Sequence, residues 1–406
     1  MAEFPHTSAA PVQPSAEPRR EPLALLSYGF RPFFLAAALW AAVAVGLWIG
    51  MLTLGWRLPS RFDPLDWHIH EMLFGFVPAA VAGFLLTAIA SWTARRPVRG
   101  ALLAALAGLW LLGRLAALCG AFVPAGVAIG ADLAFPVALI AVVARELLSA
   151  RNVRNYVLIA PVSVLAVAQL LMDVGVTDGH GALAGLGWRL GLVAILILVS
   201  VVGGRIVPNF TRNWLLQRGA QALPPAAGRF DSTALAVLHA ALMAWVFFPA
   251  APLVGAALLA AAALNLWRLL RWRGVATGAE ALLLVLHVGY AWLVLGVTAL
   301  GLTILDGAFP LGAAIHALTA GAIGTMILAV MTRVSRGHTG RALRADGVTF
   351  LIYALVVLAA AARIAAAMLL AAREPLLIGA AALWIGAFGG FLVRYAPLLL
   401  RARTDR

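Results

Sequence analysis

Histidines inside or beside long apolar segments are the residues of this chain best suited to chemistry. Residues 67–72, WHIHEM, set two imidazoles and a carboxylate at the start of one apolar segment. His239, His287 and His316 lie inside later segments, and His338 is expected in a loop after one of them. Polar groups at bilayer depth cost free energy unless they have partners. Because imidazole is the commonest metal ligand and haem iron in bundles is held between histidines of facing helices, the set predicts a metal or haem site.

The spacing within residues 67–72 separates the candidate ligands. On a helix, His68 and His70 point about 200° apart, so one ion binds both only if His68 precedes the helix. His68, Glu71 and Met72 follow an i, i+3, i+4 pattern and share a face, where a thioether beside an imidazole suits Cu(I). Three alternatives stay open: Met72 as a core side chain, Glu71 as a favourable charge at the helix N-terminus, and each histidine as an interhelical hydrogen-bonding group.

Arginines form the second group of candidates. Arg31, Arg205 and Arg333 lie near the ends of apolar segments. There they either hold haem propionates through bidentate hydrogen bonds or anchor the helices among lipid headgroups. Arg114 lies deep inside such a segment, and a guanidinium there requires a carboxylate, a propionate or a water cavity. We expect Asp132 as its partner, since we place no other acidic residue at a comparable depth.

The composition identifies the class of protein. Hydrophobic residues make up 63% of the 406 positions and charged residues only 11%, as in integral membrane proteins. Apolar segments of ~20 residues, enough to cross ~30 Å of hydrocarbon as a helix, recur along the chain. We predict an all-α polytopic membrane protein, a bundle of twelve transmembrane helices in a single domain at 26–406. The predicted spans are 33–54, 70–92, 101–120, 124–148, 155–174, 184–207, 232–249, 251–270, 280–304, 311–332, 347–371 and 376–399.

The distribution of charge indicates the topology and the partners. The net charge is +14, and every basic side chain is arginine. The arginines lie in short loops that alternate with arginine-poor ones, which favours contact with membrane lipid and argues against nucleic acid as a partner. By the positive-inside rule, these loops and both chain ends are cytoplasmic. Residues 1–25, rich in Pro, Ala and Ser, are expected to form a disordered cytoplasmic tail.

This topology distributes the histidines over two levels of the membrane. The periplasmic half receives His68, His70 and His316. The cytoplasmic half receives His239, His287 and His338. We therefore predict one site between the second and tenth spans, and a second metal site between His239 and His287.

Four segments of the chain together resemble the NnrS family: GFRPFFLAAALWA at 29–41, WHIHEMLFGFVPAAVAGFLLTA at 67–88, GGRIVPNFTRNWL at 203–215 and HALTAGAIGTMILAVMTRVSRGHTGR at 316–341. The family comprises twelve-span, haem- and copper-containing membrane proteins of denitrifying and related bacteria, linked to the response to nitric oxide. The resemblance implies haem b, with copper as a second cofactor, and a place in the bacterial inner membrane. It also implies a function of binding or metabolising nitric oxide and protecting against nitrosative stress.

A more distant likeness concerns the catalytic subunits of haem-copper oxidases and nitric oxide reductases. Their second helix carries a haem-ligating His followed by Met, Phe, Pro and Gly-Phe, and the similar residues here are His68, Met72, Phe74, Pro78, Gly83 and Phe84. The partner ligand of those proteins lies on the tenth helix, as His316 does. The likeness implies a haem between spans two and ten, with His68 and His70 both open as its ligand. The sixth, seventh and tenth spans lack the HPEVY-like, His-His and HxH motifs, which disfavours oxygen reduction at an oxidase-type centre.

Three functions are compatible with these residues. In the first, the chain is a redox or nitric-oxide-handling haem protein, in which Glu71 orients a histidine and quinol or a redox protein supplies electrons. Acting on nitric oxide in this way would make it an oxidoreductase. In the second, it is a transporter or metal-delivery protein with a histidine-lined path and an Arg114–Asp132 gate. In the third, it is a scaffold whose histidines only join helices.

Overall fold

Twelve long apolar helices make up most of the described chain, which comprises residues 23–402 apart from Ala308 and the side chain of Arg154. This computed structural model confirms the predicted all-α fold with twelve helices that could span a membrane. Most of the tail predicted at 1–25 lies outside the described residues. The helices are α1 (Phe30–Thr53), α2 (Pro64–Thr93), α3 (Ala101–Phe122), α4 (Ala125–Ser149), α5 (Asn155–Thr177), α6 (Gly181–Leu216), α7 (Arg229–Phe247), α8 (Pro252–Arg271), α9 (Ala281–Asp306), α10 (Leu311–His338), α11 (Gly347–Met368) and α12 (Leu370–Leu400).

Helix α2 begins at Pro64, well before the predicted boundary at residue 70. Asp63 caps its N-terminus, because the Asp63 carboxylate accepts hydrogen bonds from the backbone N–H groups of Leu65 and Asp66 at 2.9 and 2.8 Å. Pro64 occupies the first helical position, where a missing N–H leaves no hydrogen bond unmade. His68 therefore lies within the helix, and the alternative in which it precedes the helix is wrong.

Two other helices run past their predicted ends. Helix α6 continues to Leu216 and α10 to His338, whereas the predicted boundaries were residues 207 and 332. The hydropathy signal ends where a helix leaves the hydrocarbon, but the backbone hydrogen bonds of the helix continue beyond that depth. His338 is consequently the last residue of α10, which corrects its expected place in a loop.

Helices α2 and α10 share an unusual internal feature. Each is interrupted by a π-helical segment, Glu71–Phe76 in α2 and Ala317–Gly324 in α10. The first segment directly follows His70 and the second directly follows His316. In α2, the Gly75 carbonyl accepts a hydrogen bond from the Trp110 indole N–H of α3 at 2.9 Å. Short π-helical segments occur often at functional sites, so both interruptions mark candidate positions for chemistry.

Helix α2 occupies the centre of the bundle. It packs against α1, α3, α4, α5, α6 and α10, and 78% of its most apolar 18-residue stretch is buried inside the protein. A helix surrounded in this way can receive side chains from many directions at once. Polar residues of α2 therefore meet polar residues of its neighbours away from lipid.

The outer surface of the bundle is apolar. Large aliphatic side chains point outward along the helices, such as Leu115, Val137, Leu295 and Val393, which are 51–80% exposed. Exposed apolar side chains on spans of this length are suited to contact with lipid acyl chains. Lipid is thus a direct partner of this fold.

Helices α5 and α6 approach each other through glycine. A Cβ added at Gly187 of α6 would lie 2.5 Å from the Met172 backbone nitrogen and 2.8 Å from the Ala168 carbonyl oxygen, both in α5. Only a residue without a side chain permits this contact between the two backbones. The contact fixes the position of α5 immediately beside Asp173.

We expect the substitution Gly187→Ala to lower the free energy of unfolding by about 1–3 kcal/mol, because the added methyl group overlaps the α5 backbone. Unfolding of the detergent-solubilised protein with a denaturing detergent measures this loss. Gly181→Ala is the matched control, since a Cβ there meets no atom within 4 Å. Equal effects of the two substitutions would contradict the proposed packing role.

The even number of spans places both ends of the described chain on one side, which the arginine distribution predicts to be the cytoplasm. A green fluorescent protein fused after the last residue should therefore fluoresce, and alkaline phosphatase fused there should be inactive. Alkaline phosphatase fused after Gly179, between α5 and α6, should be active because that loop lies on the opposite side. The reverse pattern would invert the topology.

Candidate metal and haem site

His70 is completely enclosed in the bundle and lies among three carboxylates. Its Nδ1 lies 2.9 Å from the Glu71 Oε1, as expected if Glu71 orients a histidine. Its Nε2 lies 3.0 Å from the Asp132 Oδ2 and 3.0 Å from the Asp173 Oδ1. The ring of Phe62 stacks on the imidazole at a centroid distance of 4.6 Å. One imidazole therefore connects side chains of α2, α4 and α5.

Arg114 of α3 completes this cluster. Its Nη1 donates to the Glu71 Oε1 and its Nη2 donates to the Asp132 Oδ1, both at 2.6 Å. The second bond confirms Asp132 as the expected partner of the buried guanidinium. Glycines leave room for these groups, because a Cβ at Gly75 would collide with the Arg114 guanidinium and one at Gly113 would lie 2.7 Å from the Asp132 Oδ1. The two charge-assisted bonds hold α2, α3 and α4 together.

We call His70, Glu71, Arg114, Asp132 and Asp173 the His70 cluster. Its three carboxylates and one guanidinium sum to −2 with a neutral imidazole, or −1 with an imidazolium. Each of the five side chains is at most 5% exposed. Uncompensated charge is costly at this depth, so the cluster has to bind protons or a cation.

Several atoms of the His70 cluster lack a hydrogen bond among the described residues: the His70 Nε2, the Glu71 Oε2, the Arg114 Nε and both carboxylate oxygens of Asp173. The Asp132 Oδ2 and the Asp173 Oδ1 both lie 3.0 Å from the His70 Nε2, which can carry a proton for only one of them. One ligand atom each from His70, Asp132 and Asp173 lie within 4.8 Å of one another. These three residues could hold a metal ion.

His68 and His316 form the second part of the site. His68 stacks on Trp48 of α1 at a centroid distance of 4.1 Å, and its buried Nδ1 has no hydrogen-bond partner among the described residues. The His316 Nδ1 donates to the Gly312 carbonyl at 2.7 Å, which leaves its Nε2 as the atom available to a metal. His316 interacts electrostatically with both His68 and Arg363 of α11. Residues of α2, α10 and α11 thus converge in this region.

The structure does not bring His239 and His287 together. The His239 Nε2 bonds to the Ser200 hydroxyl at 2.8 Å, and the His287 Nε2 bonds to the Thr211 hydroxyl at 2.9 Å. Ser200 and Thr211 both belong to α6 and lie eleven positions apart, a rise of about 16 Å along the helix. The two imidazoles therefore lie at different depths, and the expectation that they share one level and one metal ion is wrong.

The other candidate residues have partners of their own. His338 lies against Tyr28 and Phe30, at centroid distances of 5.9 and 5.5 Å. Arg31 donates to carbonyls at the end of α12, including that of Leu399 at 2.8 Å. Both side chains therefore contribute to helix packing at the predicted cytoplasmic surface.

Arg333 and Arg205 have other surroundings. Arg333 lies over the ring of Phe210 at 4.0 Å, and Arg205 is exposed on α6. Arg333 follows His316 by seventeen residues on α10, a separation of about 25 Å. Arg363 is an arginine that interacts electrostatically with His316.

The sequence interpretation missed Asp173 as a member of the site. Asp173 is only 3% exposed, which corrects the expectation that Asp132 is the sole acidic residue at this depth. The available signal was the pair Gln169 and Asp173, spaced i, i+4 on one helical face. Gln169 is also buried, and its amide lies 3.5 Å from the Asp132 carbonyl.

We expect Arg114→Ala to lower the free energy of unfolding by about 3–5 kcal/mol, because the substitution leaves buried carboxylates without their positive partner. Denaturation in mixed detergent measures the loss. Arg145→Ala is the control: Arg145 also bonds to a glutamate, at 2.7 Å, but is 56% exposed, and its removal should change stability by no more than about 1 kcal/mol. Similar losses in the two variants would show that Arg114 does not compensate the buried charge.

Comparison with known proteins identifies the family. The family model described as "NnrS protein" matches residues 24–403, nearly the whole chain. A comparison with curated proteins finds no match. The match confirms the resemblance carried by the four sequence segments, and the chain belongs to the NnrS family.

Proposed function

We propose that this protein is a haem b protein of the bacterial cytoplasmic membrane that binds nitric oxide and protects against nitrosative stress. Membership of the NnrS family fits a nitric-oxide-related membrane protein and is associated with haem and metal binding. The proposal rests on two imidazoles, His68 and His316, which lie on the neighbouring helices α2 and α10 and interact electrostatically. The His68 Nδ1 has no hydrogen-bond partner among the described residues, and the bond of His316 to Gly312 does not use its Nε2.

The described residues fit a haem between these two helices. The hydrogen bond from the His316 Nδ1 to Gly312 fixes the tautomer and the orientation of the ring, as in metal-ligating histidines generally. Arg363 would offer positive charge to a propionate in the same region. His68 is the preferred partner of His316, since His70 is already surrounded by carboxylates.

His68 and His316 would hold the haem, and its iron would supply the atom to which nitric oxide binds. His68 is held less firmly than His316. The ring of His68 stacks on Trp48, whereas the ring of His316 donates a hydrogen bond to a backbone carbonyl. We therefore expect His316 to be the residue on which haem retention depends more strongly.

The electron donor and a copper ion are the two remaining components of the proposed function. Reduction of nitric oxide would make the protein an oxidoreductase and would require quinol or a redox protein as electron donor. The donors beside His70 are carboxylate oxygens, which suit divalent ions, including Cu(II), and do not suit Cu(I).

The absorption spectrum of the purified protein tests the haem assignment. With adequate haem supply, the wild type should show a Soret band and a pyridine haemochrome spectrum of haem b, and His316→Ala should lose most of the band. His68→Ala should retain more haem than His316→Ala and should still bind nitric oxide. His239→Ala is the control and should keep the wild-type spectrum, since His239 bonds to Ser200 elsewhere in the bundle.

Two outcomes would contradict the proposal. One is an intact, haem-supplied wild type without a Soret band, and the other is an unchanged band in His316→Ala. Absence of haem combined with metal uptake into proteoliposomes would instead support the transporter hypothesis.

A further inference from the structure

We propose that His70, Asp132 and Asp173 bind one divalent metal ion at a site distinct from the haem. The three residues come from α2, α4 and α5, and all are enclosed within the bundle. This inference does not depend on the haem assignment, because His68 directs its ring toward Trp48 of α1. The ring of His70 instead faces α4 and α5.

The positions of the donor atoms suit a metal ion. The His70 Nε2 lies 3.0 Å from one oxygen of each aspartate. For an ion ~2.0–2.2 Å from each donor, a separation of 3.0 Å corresponds to an angle of roughly 90° at the ion. That angle is the one between neighbouring ligands in octahedral coordination.

The unmade hydrogen bonds favour a metal over a shared proton. The His70 Nε2 faces two carboxylate oxygens at the same distance of 3.0 Å, and one nitrogen carries a single proton, which can serve only one of them well. Both oxygens of Asp173 also lack a hydrogen bond within the described chain, although the side chain is buried. An ion at the intersection of these three side chains would satisfy the atoms together.

The surroundings of the ligands are those of a metal site. The His70 Nδ1 bonds to Glu71, and metal-ligating histidines commonly donate their second nitrogen to a carboxylate. Arg114 bonds to the Oδ1 of Asp132 and leaves the Oδ2 directed at His70. The partners of Glu71 and Asp132 thus orient the ligands without occupying the atoms that would bind the ion.

Charge defines the class of ion. The His70 cluster sums to −2 with a neutral imidazole, and one divalent cation brings it to zero. One imidazole and two carboxylates suit first-row divalent ions such as Mn²⁺, Fe²⁺ and Zn²⁺, and the set contains no sulfur donor for Cu(I). Glu71 and Arg114 would balance each other beside the ion.

Metal binding by the purified full-length protein tests the inference. The protein is depleted with a chelator in detergent, incubated with Mn²⁺ or Zn²⁺ alone, desalted and analysed by mass spectrometry for metal content. The wild type should retain one ion per chain. Asp173→Asn and His70→Gln should each weaken retention by at least tenfold.

Two controls separate this site from the other features of the chain. Asp231→Asn alters a buried carboxylate bonded to Arg268 at 3.1 Å and should retain the ion. His316→Ala should retain Mn²⁺ or Zn²⁺ even where it loses haem. Failure of the haem proposal would therefore leave the metal result intact, and the converse also holds.

Thermal unfolding gives a second measurement, which uses the wild type and so does not depend on whether a protein substituted at a metal-binding residue folds. Added Mn²⁺ or Zn²⁺ should raise the Tm of the metal-depleted wild type, because the ion binds only the folded cluster. Asp173→Asn, where it folds, should show no such rise and should be at least as stable as the metal-depleted wild type. A wild type that retains neither ion and shows no rise in Tm would overturn the proposal, and so would wild-type retention in both Asp173→Asn and His70→Gln.

Discussion

The balance of charge around His70 is the constraint on which the predicted periplasmic half of the bundle depends. Arg114 joins Glu71 of α2 to Asp132 of α4, and His70 brings in Asp173 of α5. Lipid gives no hydrophobic drive for helices to associate, so polar contacts and close packing have to hold them together. The same contacts that fix α2 to α5 also leave excess negative charge inside the protein, and that excess creates the capacity to bind a cation.

Helix α2 can serve two sites because side chains two residues apart on a helix point to different neighbours. His68 is directed to Trp48 of α1, whereas His70 is directed to α4 and α5. The π-helical segment that follows His70 changes the registry of the helix beyond this point, and α10 has a corresponding segment after His316. In both helices the irregular backbone begins directly after a residue to which we assign chemistry, and a regular α-helix resumes after it.

Apolar segment length predicted the twelve spans because each crossing needs its own ~20 residues, whatever its neighbours are. The partnership of Arg114 and Asp132 was also predictable, since a buried guanidinium requires a carboxylate. The depth of a residue along one helix gives neither the rotation of that helix nor the identity of the neighbouring helices. The contact of Asp173 with His70 was missed for this reason. Counting from predicted ends likewise put His239 and His287 at one level, although their bonds to Ser200 and Thr211 separate them along α6.

A second buried network in the same chain shows that excess negative charge is a local feature. Arg268 donates to the Asp231 carboxylate at 3.1 Å and to the Tyr290 hydroxyl at 2.7 Å, and that hydroxyl donates to the Asn265 amide oxygen at 2.9 Å. The same carboxylate lies 3.6 Å from the partly exposed Arg271, so no negative charge is left without a partner, and neutral groups complete the hydrogen bonds, as expected of a network that only joins helices. Three carboxylates around His70 exceed what joining helices requires. The difference between the two networks is the reason to assign function to the His70 cluster and structure to the one around Arg268.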